Sequence, residues 1–151
     1  MEKVRKIESG KKEYLELLLE ADPSEKMIDR YLEDGTLFVL EEGEKAVAVA
    51  VVLARCAAEC ELMNLAVADG MRGKGYGRRM VEALFGIYRG TYERMRVGTA
   101  DIPCGCKDFY RKLGFRYTHT VPGFITENYE QPIYENGMLI EDMAYFEKEL
   151  K

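Results

Sequence analysis

Histidine is scarce in this chain, cysteine is unpatterned and long apolar runs are missing. The one histidine is His119, and the four cysteines, Cys56, Cys60, Cys104 and Cys106, fall at C-x-x-x-C and C-x-C spacings. Zinc sites draw on clustered Cys and His at recognisable separations, so this set argues against a metal centre. The thiols read instead as small core or loop residues that stay reduced, which predicts a cytoplasmic setting. Nowhere do roughly eighteen apolar residues run together, so no membrane-spanning helix is expected. The opening Met1-Glu2-Lys3-Val4-Arg5-Lys6 alternates charge where a signal peptide would carry an apolar stretch.

Excess positive charge is absent too. The formal net charge is −5, so repulsion from phosphates opposes nucleic acid as a general partner, and a cationic amine is the more compatible ligand. At 151 residues, with 47% hydrophobic and 32% charged residues, the chain suits one compact domain spanning 1–151. No repeat, low-complexity tract or linker divides it, and a homodimer is left open.

What is present is a chain of alternating strand and helix signals. Val4 to Ile7 reads as an opening strand and Lys12 to Glu20 as a helix with Leu15, Leu18 and Leu19 on one face. Asp22, Pro23 and Glu25 form a capping-box signature for a second helix carrying Met27, Ile28, Tyr31 and Leu32, which Asp34-Gly35 ends. Thr36 to Leu40 and Ala46 to Leu53 are apolar strands joined by a turn at Glu41-Glu42-Gly43-Glu44. Their near-continuous hydrophobicity suits the middle of a sheet covered on both faces. A helix with the apolar stripe Tyr76, Met80, Val81, Leu84, Phe85 and Tyr88, and a strand from Met95 to Thr99, follow.

The most informative stretch runs from Glu61 to Met80. The strand residues Leu62, Met63, Leu65, Ala66 and Val67 give way at Asp69-Gly70 to Arg72-Gly73-Lys74-Gly75-Tyr76-Gly77, directly before a helix. Alternating glycines let backbone N–H groups surround a bound group. The helix N-terminus adds unsatisfied donors and about half a positive charge, and Arg72, Lys74 and Arg78 add cations. The segment is therefore an anion cradle. It is not a dinucleotide fingerprint, since it reads G-x-G-x-G, and no G-x-x-x-x-G-K-[ST] string occurs.

The R-x-x-G-x-G pattern at Arg72, Gly75 and Gly77 behind the strand Leu65-Ala66-Val67 resembles the GCN5-related N-acetyltransferase (GNAT) superfamily. A second string, Phe109-Tyr110-Arg111-Lys112-Leu113-Gly114-Phe115, is similar to that family's [FL]-Y-x-K-x-G-F segment. The segment Asn128 to Gly137, followed by Glu141-Asp142-Met143, looks like a bacterial subgroup. The resemblance implies an α/β fold with a mixed sheet of six or seven strands, splayed at its middle and flanked by about four helices. It also implies acetyl-CoA as cosubstrate, with its diphosphate on Arg72, Gly73, Lys74, Gly75, Gly77 and Arg78. Leu65 would pair with the pantetheine arm, and the Val67 N–H would face the developing oxyanion.

Acetyl transfer to an amine needs a base, oxyanion donors and an acid for the departing thiolate. If the strand begins at Glu61, a two-residue period puts Glu61, Met63, Leu65 and Val67 on one face, with the carboxylate in line with the reacting end. Glu61 also sits where members of the family carry a catalytic glutamate, and burial would raise its pKa toward a useful value. Tyr110 is the candidate acid, since a phenol with a pKa near 10 is protonated at neutral pH. Asp101 stands where many relatives have asparagine, which puts that contact with the coenzyme in doubt. Covalent catalysis by Cys104 or Cys106 has no histidine nearby in sequence to support it.

The acceptor implied is a primary amine on a small molecule or peptide. Phe124, Glu127, Tyr129, Glu130 and Tyr134, in the connection after His119, mix aromatics and carboxylates that could surround it, with His119 as a secondary base. Two other readings stay open: a non-catalytic CoA-binding sensor or assembly module, and nucleotide or phosphate binding unrelated to acyl transfer.

Overall fold

The computed structural model describes residues 2–103 and 105–150, so Cys104 lies outside the described residues. Seven strands form one sheet: β1 (Glu2–Ile7), β2 (Thr36–Glu42), β3 (Lys45–Ala54), β4 (Glu59–Val67), β5 (Arg94–Ala100), β6 (Arg116–Val121) and β9 (Met143–Glu149), in the order β1-β2-β3-β4-β5-β9-β6. A separate hairpin joins β7 (Tyr134–Glu135) to β8 (Met138–Leu139). The helices are α1 (Leu15–Leu18), α2 (Glu25–Asp29), α3 (Tyr76–Tyr88), α4 (Gly105–Lys112) and α5 (Phe124–Asn128). This is the expected α/β architecture, with seven strands in the mixed sheet and five α-helices among the described residues.

The hydrophobic runs land where their continuity implied. In β3 every residue from Val47 to Val52 is buried, because β3 lies inside the sheet with helices over both faces. The α3 stripe closes one face, with Met80, Val81 and Leu84 fully buried against Met95, Val97 and Phe146. On the other face Leu18, Ile28 and Leu32 pack on Leu37, Val39, Val49 and Val51.

Two local expectations fail for identifiable reasons. The first helical segment is broken, a 3-10 turn at Lys11–Tyr14 leading into only four α-helical residues. The Lys11 ammonium leaves the helix surface to bond the carbonyls of Leu32, Glu33 and Gly35 at 2.8–3.1 Å. The cap of α2 is Ser24, not Asp22: the Ser24 hydroxyl accepts from the Met27 N–H at 3.2 Å. Asp22 turns inward, where the Tyr31 and Tyr129 hydroxyls donate to its carboxylate at 3.0 and 2.8 Å. A carboxylate that gathers two buried phenols is more useful inside than as one of several possible caps.

The feature that shapes the site lies between β4 and β5, the only parallel strand pair among the described residues of the sheet. Their ladder holds from Glu59↔Arg94 to Leu62↔Val97 and then stops, although β4 continues along β3 to Val67 and β5 along β9 to Ala100. The strands part there and open a wedge in the sheet.

Phe146, which pairs from β9 with Val97 where the β4–β5 ladder ends, is fully buried, with its ring edge-on to Tyr117 at 5.8 Å. Phe146→Ala is expected to lower unfolding free energy by about 3–5 kcal/mol through lost burial and the cavity left behind. Urea denaturation measures this, with a lower midpoint at unchanged slope.

Candidate active site

Beyond Leu62 the backbone of β4 presents half its polar groups to the wedge. Ala68 N–H donates to Val47 C=O on β3 at 2.8 Å, and antiparallel pairing alternates, so the amides of Leu65 and Val67 point away from β3 and into the opening. These are the two positions expected to meet the pantetheine and the oxyanion. Their side chains pack toward α3.

The glycine-rich turn stands at the end of the same strand. Gly73 and Gly75 have φ of 77° and 86°, the left-handed region that glycine adopts without strain, and Gly75 caps α3. Gly77 sits against both neighbours: a Cβ there would be in van der Waals contact with Val67 Cγ2 at 3.5 Å and Phe109 Cζ at 3.4 Å. So the first turn of α3 is wedged between β4 and α4, which places its free N–H groups beside the opening. Arg79, unnoticed in the sequence, braces the turn, donating to Lys74 C=O at 3.1 Å while its Nε bonds Glu2. Arg72 pairs with Glu20 at 3.0 Å and Arg78 with Glu82 at 3.5 Å, both side chains largely exposed, and Lys74 is exposed. The two arginines are held by surface carboxylates that give little net stability, so an anion on the turn could recruit them.

Tyr110 lies on α4 beside that turn, its ring edge-on to Phe109 at 5.1 Å and to Phe115 at 5.5 Å. Burial pushes its phenol above the ordinary value, with a smaller contribution from Cys106. The phenol therefore stays protonated throughout the physiological range.

Glu61 is on the opposite face from Leu65 and Val67, contrary to the two-residue period. Val51 pairs with Asn64 and Val52 with Leu62, which leaves Met63 as an extra residue. This β-bulge reverses the alternation, so Cys60 and Leu62 before it and Leu65 and Val67 after it share the α3 face. Glu61 then emerges on the face carrying Arg96, Tyr145 and His119. Its carboxylate is 5% exposed, 3.2 Å from Arg55 Nε and 3.5 Å from Arg96 Nε. Glu61 Oε1 and Arg96 Nε are both buried without a hydrogen bond. Burial pushes the Glu61 carboxyl above its usual range, against the opposing pull of Arg96 and then Arg55.

Around Glu61 the structure assembles residues the motifs did not flag. The Arg96 guanidinium lies 4.3 Å from the Tyr145 ring centroid, and His119 stacks on that ring at 5.0 Å and 13°. Gly98 makes room for it, since a Cβ there would meet Tyr145 Cε1 at 2.7 Å. The readable signal was the strand period in β5, where Met95 and Val97 are core and Arg94 and Arg96 must face the other way. Asn64, at the bulge, donates to Leu18 C=O and to the Tyr31 hydroxyl, both at 3.1 Å.

The connection after His119 is only partly as expected. The Tyr129 hydroxyl is committed to Asp22, and Glu130 to the Lys26 ammonium. Phe124 does reach the site, edge-on to Tyr145 at 6.4 Å, and Tyr134 is 63% exposed. Asp101 is neutralised by Lys107 at 2.8 Å, so its charge has a local counter-ion. Cys56 and Cys106 are exposed, while burial pushes the Cys60 thiol up to about 12. No cluster of three or more metal-ligating side chains, and no helix long and apolar enough to cross a membrane, is found among the described residues.

Comparison with known proteins agrees with this geometry. The acetyltransferase (GNAT) domain family matches residues 33–117. A Bacillus subtilis (strain 168) protein known as the uncharacterized N-acetyltransferase YvbK is 32% identical over 148 residues, 95% of each chain. A GNAT family acetyltransferase from Elizabethkingia anophelis, solved with acetyl-CoA bound, superposes with a TM-score of 0.93 at 29% identity, over 98% of this chain and 97% of that one. A Bacillus subtilis acetyltransferase in complex with CoA gives 0.88 at 28% identity, over 99% of both chains.

A raised folded-state pKa means that ionising Glu61 opposes folding. Its contribution to stability is full below the unfolded carboxyl pKa and is lost as pH rises through the folded one. The melting temperature of Glu61→Gln relative to wild type is therefore expected to climb between about pH 4 and pH 7, as thermal melts across that range would show.

Proposed function

The chain belongs to the acetyltransferase (GNAT) family, and from that premise we propose that it transfers the acetyl group of acetyl-CoA to a primary amine on a small molecule or peptide, by direct attack in a ternary complex. Acetyl-CoA, bound in solved relatives, is the donor, and supplies an activated thioester carbonyl. The observation that carries the residue roles is the parting of β4 and β5 beside the α3 N-terminus, which puts strand amides and helix amides around one opening.

In this reading each group acts through its own chemistry. The turn amides from Gly73 to Gly77, with Arg72, Lys74 and Arg78, hold the diphosphate. The Leu65 backbone pairs with the pantetheine arm in place of the missing β5 ladder, and the Val67 N–H stabilises the charge that develops on the carbonyl oxygen. One such donor typically supplies about 3 kcal/mol of barrier lowering. Tyr110, a phenol that is protonated at neutral pH and is held so more firmly by desolvation, donates to the leaving sulfur from the α4 side. Glu61 takes the amine proton from the other face, directly or through water, and its raised pKa makes it a better base than an exposed glutamate. Acid and base thus reach the wedge from opposite faces of the sheet.

A non-catalytic CoA-binding module would share the cradle and lack turnover. A free-thiol assay over an amine panel separates the two: acetyl-dependent thiol release with at least one amine supports transfer, and CoA binding without it supports the module. Gly75→Asp, which adds a side chain at positive φ and a negative charge on the turn, is expected to weaken acetyl-CoA binding at least tenfold by calorimetry. Wild-type affinity would remove the turn from the donor site.

Tyr110→Phe is expected to lower kcat by about 10²–10⁴ while leaving donor affinity within a few-fold. For Glu61→Gln the rise of kcat/KM with pH should flatten, since the titrating base is gone. A profile identical to wild type would assign the base elsewhere.

A further inference from the structure

Glu61 is outnumbered. Two guanidiniums, Arg55 at 3.2 Å and Arg96 at 3.5 Å, face one carboxylate, and both approach it through Nε. Among the described residues neither makes another ion pair. The nearby carboxylates do not redress the balance. Glu59 is engaged by Arg94 at 2.9 Å, and Glu147, which stands opposite Arg96 and Arg116 in the ladders, forms an ion pair with neither among the described residues. On the acceptor side, Glu130 is bound by Lys26 and Asp142 accepts from the Gly123 N–H.

A multiply charged amine would thus meet net positive charge next to its proposed base. The geometry is also specific to arginine. The approach to Glu61 is through Nε in both cases, and Arg55 and Arg96 keep 40% and 27% of their side chains exposed, so guanidinium surface is left for a further anion. Guanidinium forks match carboxylates bidentately. Arg96 is fixed in place by the Tyr145 ring, itself packed between His119 and the gap at Gly98, so its ordering cost is met before any ligand arrives.

We propose that Arg55 and Arg96 form a carboxylate-binding subsite beside Glu61, and that the acceptor is an amino acid-like molecule carrying a carboxylate close to its primary amine. The zwitterion then lies with its ammonium toward Glu61 and its carboxylate on the two guanidiniums. This assignment rests on the acetyl-transfer reading and narrows its acceptor.

The test is a paired panel. Wild type, Arg55→Gln, Arg96→Gln and Arg96→Lys are assayed for acetyl-CoA-dependent thiol release with the primary-amine protein L-amino acids. The same assays are run with the amines left when each loses its α-carboxyl group, and with spermidine. Acetyl-CoA binding is followed separately by thermal shift. The readout is the ratio of kcat/KM for an amino acid over its decarboxylated partner, which is internal to each variant. It should be at least about tenfold in wild type, and fall toward one in both glutamine variants, chiefly through KM. Arg96→Lys should recover only part of it. Arg55 lies in a surface turn, so Arg55→Gln provides a reading should Arg96→Gln fail to fold.

A wild-type ratio near or below one, a preference for spermidine, or a ratio unchanged in every folded variant overturns the proposal. Donor stabilisation by acetyl-CoA without turnover of any carboxylated acceptor overturns the subsite while leaving the donor site standing. Absence of acetyl-CoA stabilisation removes the acetyl-transfer reading itself.

Discussion

The separation of β4 from β5 after Leu62 and Val97 is the constraint on which the rest of this molecule depends. Parallel neighbours in a closed sheet satisfy each other's amides, and a ladder that continued would have used the N–H groups of Leu65 and Val67. Because it stops, those groups point into an opening whose walls are strand backbone. Both strands stay rigid there, since β3 supports one and β9 the other. A wedge built this way does not rely on mobile loops to hold its polar groups in position.

The bulge at Met63 divides the labour between the two faces. Without it, Glu61 would share the α3 face with Leu65, Val67 and the fully buried Met80, away from Arg55 and Arg96. One extra residue sends Glu61 to the side where Arg55 and Arg96 stand and leaves the aliphatic positions on the side where α3 packs. On the acetyl-transfer reading, donor and acceptor chemistry would be separated by the thickness of the sheet and meet at the wedge. The same device explains why burial shifts Glu61 and Tyr110 upward independently, each against its own surroundings.

Beneath the acceptor face lies a polar core that ties distant segments together. Asp22 collects the Tyr31 and Tyr129 hydroxyls, and Tyr31 in turn accepts from Asn64 next to the bulge. Arg30 bonds Asn128 at 3.0 Å and Lys26 bonds Glu130, so the connection after β6 is fastened to α2 at several points. The floor of the acceptor side is therefore fixed relative to β4, although its residues come from both ends of the chain.

The sequence by itself determined the donor half of this protein. Glycine spacing, the helix start at Tyr76, the apolar stripe of α3 and the Phe109 to Phe115 string are local signals, because their physics acts within a few residues. The acceptor half was decided only by tertiary structure. Arg55 and Arg96 read as ordinary surface cations until the β3–β4 and β4–β5 pairings set them against Glu61. Met63 reads as one more alternating residue until the pairing with β3 leaves it over. Asp22 looks like a cap, since local rules score it against its nearest neighbours, whereas its partner Tyr129 arrives from 107 residues away. Charge balance and strand register are properties of segments brought together by folding, and no periodicity within one segment encodes them.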